Sequence, residues 1–210
     1  MLETCGARRV VALSSTSLFV KNDSSNRKEQ DTARRLADGE SSVRAWAEAH
    51  SVQWVILRPT LIYGHGQDKN LTEILRFVRR YGFFPLLGKA SGLRQPVHAE
   101  DVASACVSAL TKPPEANRPY NLSGGETLSY RDMVGRVFIA LGKLPHLVTV
   151  PRWLFRLAIT ILRLLPRYKH WTVEMAERMN RDLVFDHADA TRDLGFSPRP
   201  FRFSPEDIPT

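Results

Sequence analysis

Two short apolar runs, Val10–Leu13 and Val52–Leu57, lie on either side of a long stretch with helical periodicity. Both runs are too short for buried helices and are rich in β-branched residues, which makes Arg9–Ser14 and Val52–Arg58 buried strands, the second stopped by Pro59. Between them, Val20–Arg27 reads as a polar loop rich in Asn, Asp and Ser. Glu29 to His50 reads as a helix with a partial apolar stripe at Leu36, Val43, Trp46 and Ala47. Strand, helix, strand in this order implies a right-handed crossover between parallel strands, so the fold class is α/β. Further helices are expected at Leu71–Tyr81, where Leu71, Ile74, Leu75 and Val78 repeat at i, i+3, i+4, i+7, and at Asp101–Leu110, stopped by Pro113-Pro114. A last one is expected at Ser129–Leu141, with Ser129 and Asp132 at capping-box spacing and Gly142 closing its end.

The 210 residues suffice for one sizeable core and a smaller second lobe. Cys5 and Cys106 stand far apart, which points to reduced thiols in a cytoplasmic setting rather than a disulfide scaffold. Glu3, Arg8 and Arg9 interrupt any signal-peptide pattern. A net charge of +8 favours polyanions, anionic nucleotides or an anionic membrane surface. The basic residues are spread along the chain with no nucleic-acid motif, so no nucleic-acid partner is expected. His65, His98, His146, His170 and His187 lack metal-ligand spacing, so no metal site is expected.

In open α/β sheets ligands sit beyond the carboxyl ends of the strands. The two visible ends, Ser14-Ser15-Thr16 and Arg58-Pro59-Thr60, should therefore line one crevice. The serines can equally form a local turn, which Ser favours. The Asn121–Glu126 stretch, NLSGGE, can cradle a phosphate through backbone N–H groups or simply connect a strand to a helix.

Four blocks, VVALSSTSLF, WVILRPTLIYGHG, RQPVHAEDVASA and YNLSGGETLSYRDMV, together resemble the NAD-dependent epimerase/dehydratase family, the extended or atypical short-chain dehydrogenases, over Arg8 to Gly142. The resemblance implies a partial NAD(P)-binding Rossmann fold, a doubly wound parallel sheet, with a smaller, mostly helical C-terminal substrate lobe. It implies residues 1–64 as the back of the Rossmann domain and 65–210 as the lobe, with Rossmann elements interleaved at about 97–123. The implied chemistry is epimerisation or reduction of a nucleotide sugar, or of a related hydroxyl or ketone substrate, with NAD or NADP. The resemblance puts Ser15 at the catalytic Ser/Thr position and Ser14, Pro59, Thr60, Leu61 and Ile62 beside the nicotinamide. It puts Arg94, Gln95 and His98 in the substrate lobe. In an extended reading Arg94 and His98 share a face suited to a sugar diphosphate.

The sequence departs from the family pattern twice. The family's Tyr-x-x-x-Lys pair, four residues apart on one helix face, falls on Thr32 and Leu36. No Gly-rich turn follows the first strand. The expectations are accordingly a chain lacking its N-terminal half, with roughly a hundred residues or more upstream, and weak or absent cofactor binding in this chain. A non-catalytic NAD(P)-binding or assembly protein is the competing function. Pro151–Trp171 offers a further choice. From Trp153 to Leu165 it spans about 20 Å as a helix, too short to cross a bilayer. It is either a helix packed in the lobe or an interfacial one resting on anionic lipid at the inner face of a membrane.

Overall fold

The computed structural model describes residues 6–22, 24, 26–68, 70–111, 117–155 and 177–208. These form two compact units. The first contains residues up to 62, 96–126 and 185–201; the second contains 63–95, 127–184 and 202–210.

The first unit is built on a parallel three-stranded sheet, in the order β1 (Arg9–Leu13), β2 (Gln53–Pro59), β7 (Arg118–Leu122). Val10 pairs with Trp54 and Leu13 with Leu57, while Leu57 pairs with Tyr120 and Pro59 with Leu122. The central strand β2 is buried on both faces, as parallel strands are. Val55 and Leu57 join Val102, Ala105 and Ala109 of α4 (Ala99–Thr111) and Leu194 of α6 (Ala188–Leu194). Trp54 and Ile56 point the other way, onto Ala47 of α2 (Arg27–Ala49).

The expected loop Val20–Arg27 is corrected at both ends. A short helix, α1, runs from Ser17 to Lys21, and α2 already starts at Arg27, capped by the Asn26 side chain on Lys28 N–H at 3.0 Å. The stripe of α2 also differs from expectation. Its fully buried positions are Ala33, Glu40 and Ala47, with Leu36, Val43 and Trp46 half-buried between them. β2 ends at Pro59, as expected, with Pro59 itself still paired: proline has no N–H to give, yet its carbonyl accepts from Thr16 N–H at 3.1 Å.

The second unit packs α3 (Leu71–Tyr81) against α5 (Tyr130–Ala140), burying Leu71, Leu75 and Val78 with Met133, Val134, Val137 and Phe138. Beside them β4 (Phe84–Leu87) pairs in parallel with β9 (Leu147–Val150), and β5 (Leu93–Arg94) pairs antiparallel with β8 (Leu128–Ser129). The ends of α5 follow the expected chemistry. Ser129 accepts from Asp132 N–H, Gly142 is left-handed at φ 66°, and Lys143 N–H closes back on Phe138 C=O at 2.9 Å. The stretch Pro113-Pro114 and most of Pro151–Trp171 fall outside the described residues. Among those described, no helix is long and apolar enough to cross a membrane.

Candidate functional site

The carboxyl ends of β1, β2 and β7 come together in the first unit, and backbone bonds hold them there. Ser14 N–H donates to Leu57 C=O at 2.8 Å, and Thr60 N–H donates to Leu122 C=O at 2.9 Å. The threonine hydroxyls reinforce the same joints, Thr16 on Pro59 C=O and Thr60 on Leu122 C=O. Those two hydroxyls are therefore spent on the scaffold.

The serines differ from one another. Ser15 is half-buried; its Oγ accepts from Ser17 N–H at 3.1 Å and donates to Ser17 Oγ at 3.0 Å. This is the local turn that the sequence allowed, and it starts α1. The Ser15 proton rests on a neighbouring hydroxyl, which a ligand oxygen can replace. Ser14 Oγ is buried without a hydrogen-bond partner of good geometry, although it stands close enough to Glu40 to help lower that group's pKa.

Behind the serines lies a feature that the sequence reading missed. Arg58 reaches from β2 to Glu40 on α2, Nε to Oε1 at 2.9 Å and Nη2 to Oε2 at 2.5 Å. Burial alone would raise the Glu40 pKa, but Arg58, Ser14 and Arg44 outweigh it and hold the carboxyl below its ordinary value. The Arg58 guanidinium also lies 5.1 Å from the Phe19 ring centroid, and Phe19 meets Phe185 at 6.0 Å. The signal was present in the sequence: Glu40 sits on the stripe 33-36-40-43-47, and a carboxylate there demands a buried cation.

At the end of β7, Ser123 is fully buried, donates to Phe185 C=O at 2.8 Å and meets His187 Nδ1 at 2.5 Å. The glycine turn after it is filled by the chain itself. Gly125 N–H donates to Arg199 C=O, and a Cβ on Gly125 would meet Pro198 O at 2.2 Å. Of the two readings of Asn121–Glu126, the connection describes this turn. Asp101, in the first turn of α4, accepts from the Arg199 N–H and guanidinium at 2.8–3.0 Å.

The remaining expected residues are dispersed. Thr32 and Leu36 lie on α2; the Thr32 hydroxyl donates back to Lys28 C=O at 2.8 Å and is exposed. Leu61 C=O accepts from Val97 N–H, and Ile62 packs on the core of the first unit. Arg94 and Gln95 belong to the second unit and His98 to the first. Arg94 is buried and turned onto its own unit, donating to the carbonyls of Leu93, Arg181 and Arg178, with the Tyr130 ring 5.4 Å away. Burial lowers the Arg94 pKa to about 10, and it raises that of the enclosed Tyr130 to about 12. His98 Nδ1 accepts from Glu100 N–H at 3.2 Å. Among the described residues no three His, Cys, Asp or Glu gather to hold a metal ion.

A dinucleotide makes two demands on such a site. The strand ends present a half-buried hydroxyl at Ser15 and the chain segment Pro59–Ile62. A pyrophosphate needs several free backbone N–H groups at a glycine turn or a helix start. Among the described residues, the turn after β1 holds serines and threonine, and the turn after β7 gives its Gly125 N–H to Arg199. Among the described residues the pyrophosphate half of such a site is therefore missing.

Residues 1–123 match the model of the NAD dependent epimerase/dehydratase family. A UDP-glucose 4-epimerase of Vibrio cholerae is 28% identical over 178 residues, covering 85% of this chain and 52% of that enzyme. The NADH dehydrogenase [ubiquinone] 1 alpha subcomplex subunit 9, mitochondrial, of Arabidopsis thaliana is 31% identical over 97 residues, 46% of this chain and 24% of that protein. Among solved structures, a UDP-glucuronic acid 4-epimerase from Bacillus cereus in complex with NAD superposes with a TM-score of 0.67 at 16% identity, covering 98% of this chain and 61% of that one. This likeness shows the Rossmann-type fold. The chain spans about half the length of the Vibrio relative.

Proposed function

Since this chain belongs to the NAD dependent epimerase/dehydratase family, we propose that it serves NAD(P)-linked chemistry on a nucleotide sugar or a related hydroxyl or ketone substrate. The reaction class is hydride exchange at a carbinol carbon, with NAD or NADP supplying the hydride acceptor. The observation that carries this reading is Ser15. It stands at the carboxyl end of β1, and its hydroxyl proton lies on Ser17 at 3.0 Å, where a substrate oxygen can take it over. In this reading Ser15 orients the reacting oxygen, and Ser14 and Pro59–Ile62 border the nicotinamide. Gln95 and His98 serve the substrate side, with Arg94 positioning its unit through the three carbonyls it binds.

A second reading is favoured by α2. Thr32 and Leu36 stand where the family pattern calls for tyrosine and lysine, and neither exchanges a proton near neutral pH. A binding or assembly protein that keeps the fold without turnover fits those two positions, and one relative is named as a subunit of a larger enzyme.

Saturation-transfer NMR of the chain with UDP-glucose tests the first point. Binding that weakens roughly tenfold in Ser15→Ala, the loss of one hydrogen bond of about 1.4 kcal/mol, supports the role of Ser15; equal binding removes it. Adding NAD and following UDP-glucose to UDP-galactose by NMR then separates the readings. Turnover refutes the binding-protein reading, and NAD binding without turnover supports it. Nicotinamide fluorescence should stay unchanged when NADH is added to this chain; micromolar binding would refute the missing pyrophosphate half.

A further inference from the structure

The positive charge of this chain is distributed in a way that composition hides. Lysine and arginine are scattered, but aspartate and glutamate are not. No acidic residue occurs between Ile74 and Ala99, nor between Met133 and Val173. These two stretches hold twelve of the 30 Lys and Arg and none of the 22 Asp and Glu, so the rest of the chain, with 18 against 22, is net negative. Within the second unit α3 packs on α5 and β4 pairs with β9, which brings described parts of the two stretches together.

One end of that unit gathers charge and apolar surface together. At the C-terminus of α3, Arg79 and Arg80 are exposed, and Arg80 lies over the ring of Tyr81 at 5.5 Å. At the C-terminus of α5, Lys143 reaches across to the last carbonyls of α3, Val78 and Arg79. Immediately beyond, Leu144 is 91% exposed, and Ile139 in the last turn of α5 is 66% exposed. The loop carrying Leu144 is fixed, not dangling: Gly142 and Lys143 N–H groups close onto Ile139 and Phe138, and His146 C=O accepts from Phe84 N–H at 3.0 Å. A scaffold that holds two aliphatic side chains in water beside exposed cations, with no carboxylate in either stretch, is suited to an apolar phase bounded by negative charge.

We infer that this end of the second unit, centred on Leu144, rests on an anionic lipid surface. Leu144 and Ile139 enter the interface, Tyr81 sits at headgroup depth as interfacial aromatics do, and the exposed Arg79 and Arg80 meet lipid phosphates. Each cation near such a surface is worth about 1 kcal/mol, or roughly fivefold in partition. The contact is peripheral and salt-sensitive, and it is independent of the chemistry proposed for the first unit.

Vesicle flotation of the full chain tests it. The probes are phosphatidylcholine vesicles with and without a third phosphatidylglycerol, at low salt and in 0.5 M NaCl. The chain should float only with the anionic vesicles and lose most binding in high salt. Arg79→Ala with Arg80→Ala should lower the partition about thirtyfold, and Leu144→Asp should lower it at least tenfold. Val107→Ser, an exposed apolar residue of the first unit, should leave it unchanged, and circular dichroism should show each variant folded. Absence of binding to anionic vesicles overturns the inference. So does binding that survives in the Arg79, Arg80 and Leu144 variants, or binding to single-stranded nucleic acid without binding to vesicles.

Discussion

Removing the Glu40 carboxylate while leaving Arg58 in place probes the joint between α2 and the sheet. The two side chains are 7% and 15% exposed and meet at two points, so little solvent screens them. Breaking a buried pair from one side costs about 3–5 kcal/mol, because the surviving charge stays buried and uncompensated. Arg58 keeps some exposure and its contact with Phe19, which puts Glu40→Ala near the lower end, about 3 kcal/mol. For a chain of this size each kcal/mol moves the melting midpoint by about 2–4 °C, so the variant should melt roughly 6–12 °C below wild type at pH 7. Glu40→Leu combined with Arg58→Met should regain most of that loss, since a packed apolar pair has no desolvation cost. The pH dependence has a definite sign. The native Glu40 pKa lies below its ordinary 4.5, so its stabilisation is complete above that value and is lost as pH falls through the native one. Thermal melts of wild type and Glu40→Gln should therefore keep a constant gap from pH 7 down to about 5 and converge only as pH falls through the lowered native value. A Glu40→Ala midpoint within about 2 °C of wild type, or a gap that persists at low pH, would refute the assignment of this pair as a structural joint.

Asp101→Ala should release the returning segment 185–201, because Arg199 loses both of its bonds to that carboxylate; a cost of about 2–3 kcal/mol and faster amide exchange across the segment are expected, and unchanged protection would contradict it. Gly125→Ala should cost about 1–3 kcal/mol by overpacking, since the added methyl would stand 2.2 Å from Pro198 O; an unshifted urea midpoint would show that the turn gives way freely. Arg94→Met should destabilise the second unit by about 3 kcal/mol, because three carbonyls lose a charged donor. Measuring UDP-glucose affinity on the same variant decides its role: lost affinity at full stability would make Arg94 a direct ligand.

Local patterns in the sequence translated well where the physics was local. The α3 stripe Leu71-Ile74-Leu75-Val78 is buried as its spacing requires, and Ser129 and Gly142 close α5 through contacts only three to five residues long. What stayed hidden rests on partners brought together by the fold. Asp101 meets Arg199 across 98 positions, and Ser123 meets His187 across 64. No periodicity encodes such pairings. The segment 185–201 joins the first unit for the same reason: its anchors, Asp101 and Ser123, had identifiable residue types and unidentifiable partners. The α1 helix was missed because serine clusters suit both a turn and a helix start, and here one turn does both.

The hydroxyl cluster after β1 shows how far sequence can go toward a site. An apolar strand that ends in Ser-Ser-Thr-Ser announces polar groups at a strand end, where α/β sheets bind ligands. It does not say which hydroxyls the scaffold consumes. Thr16 is bound to Pro59 C=O, Thr60 to Leu122 C=O, and Ser14 turns inward toward Glu40. Ser15 instead gives its proton to the Ser17 hydroxyl, a neighbour that a ligand oxygen can replace. Selection of one serine from the cluster thus comes from backbone register: the β1–β2 pairing that aligns Leu13 with Leu57 sets Thr16 against Pro59 and leaves Ser15 between them, half-buried. Shifting that register by one residue would exchange the roles of Ser15 and Thr16, so Ser15→Ala and Thr16→Ala should part cleanly. Thr16→Ala should lower stability by about 1 kcal/mol and spare UDP-glucose binding, whereas Ser15→Ala should do the reverse. Denaturant midpoints and NMR titrations of both variants check this, and a loss of binding in Thr16→Ala alone would place the ligand-facing hydroxyl one residue further along.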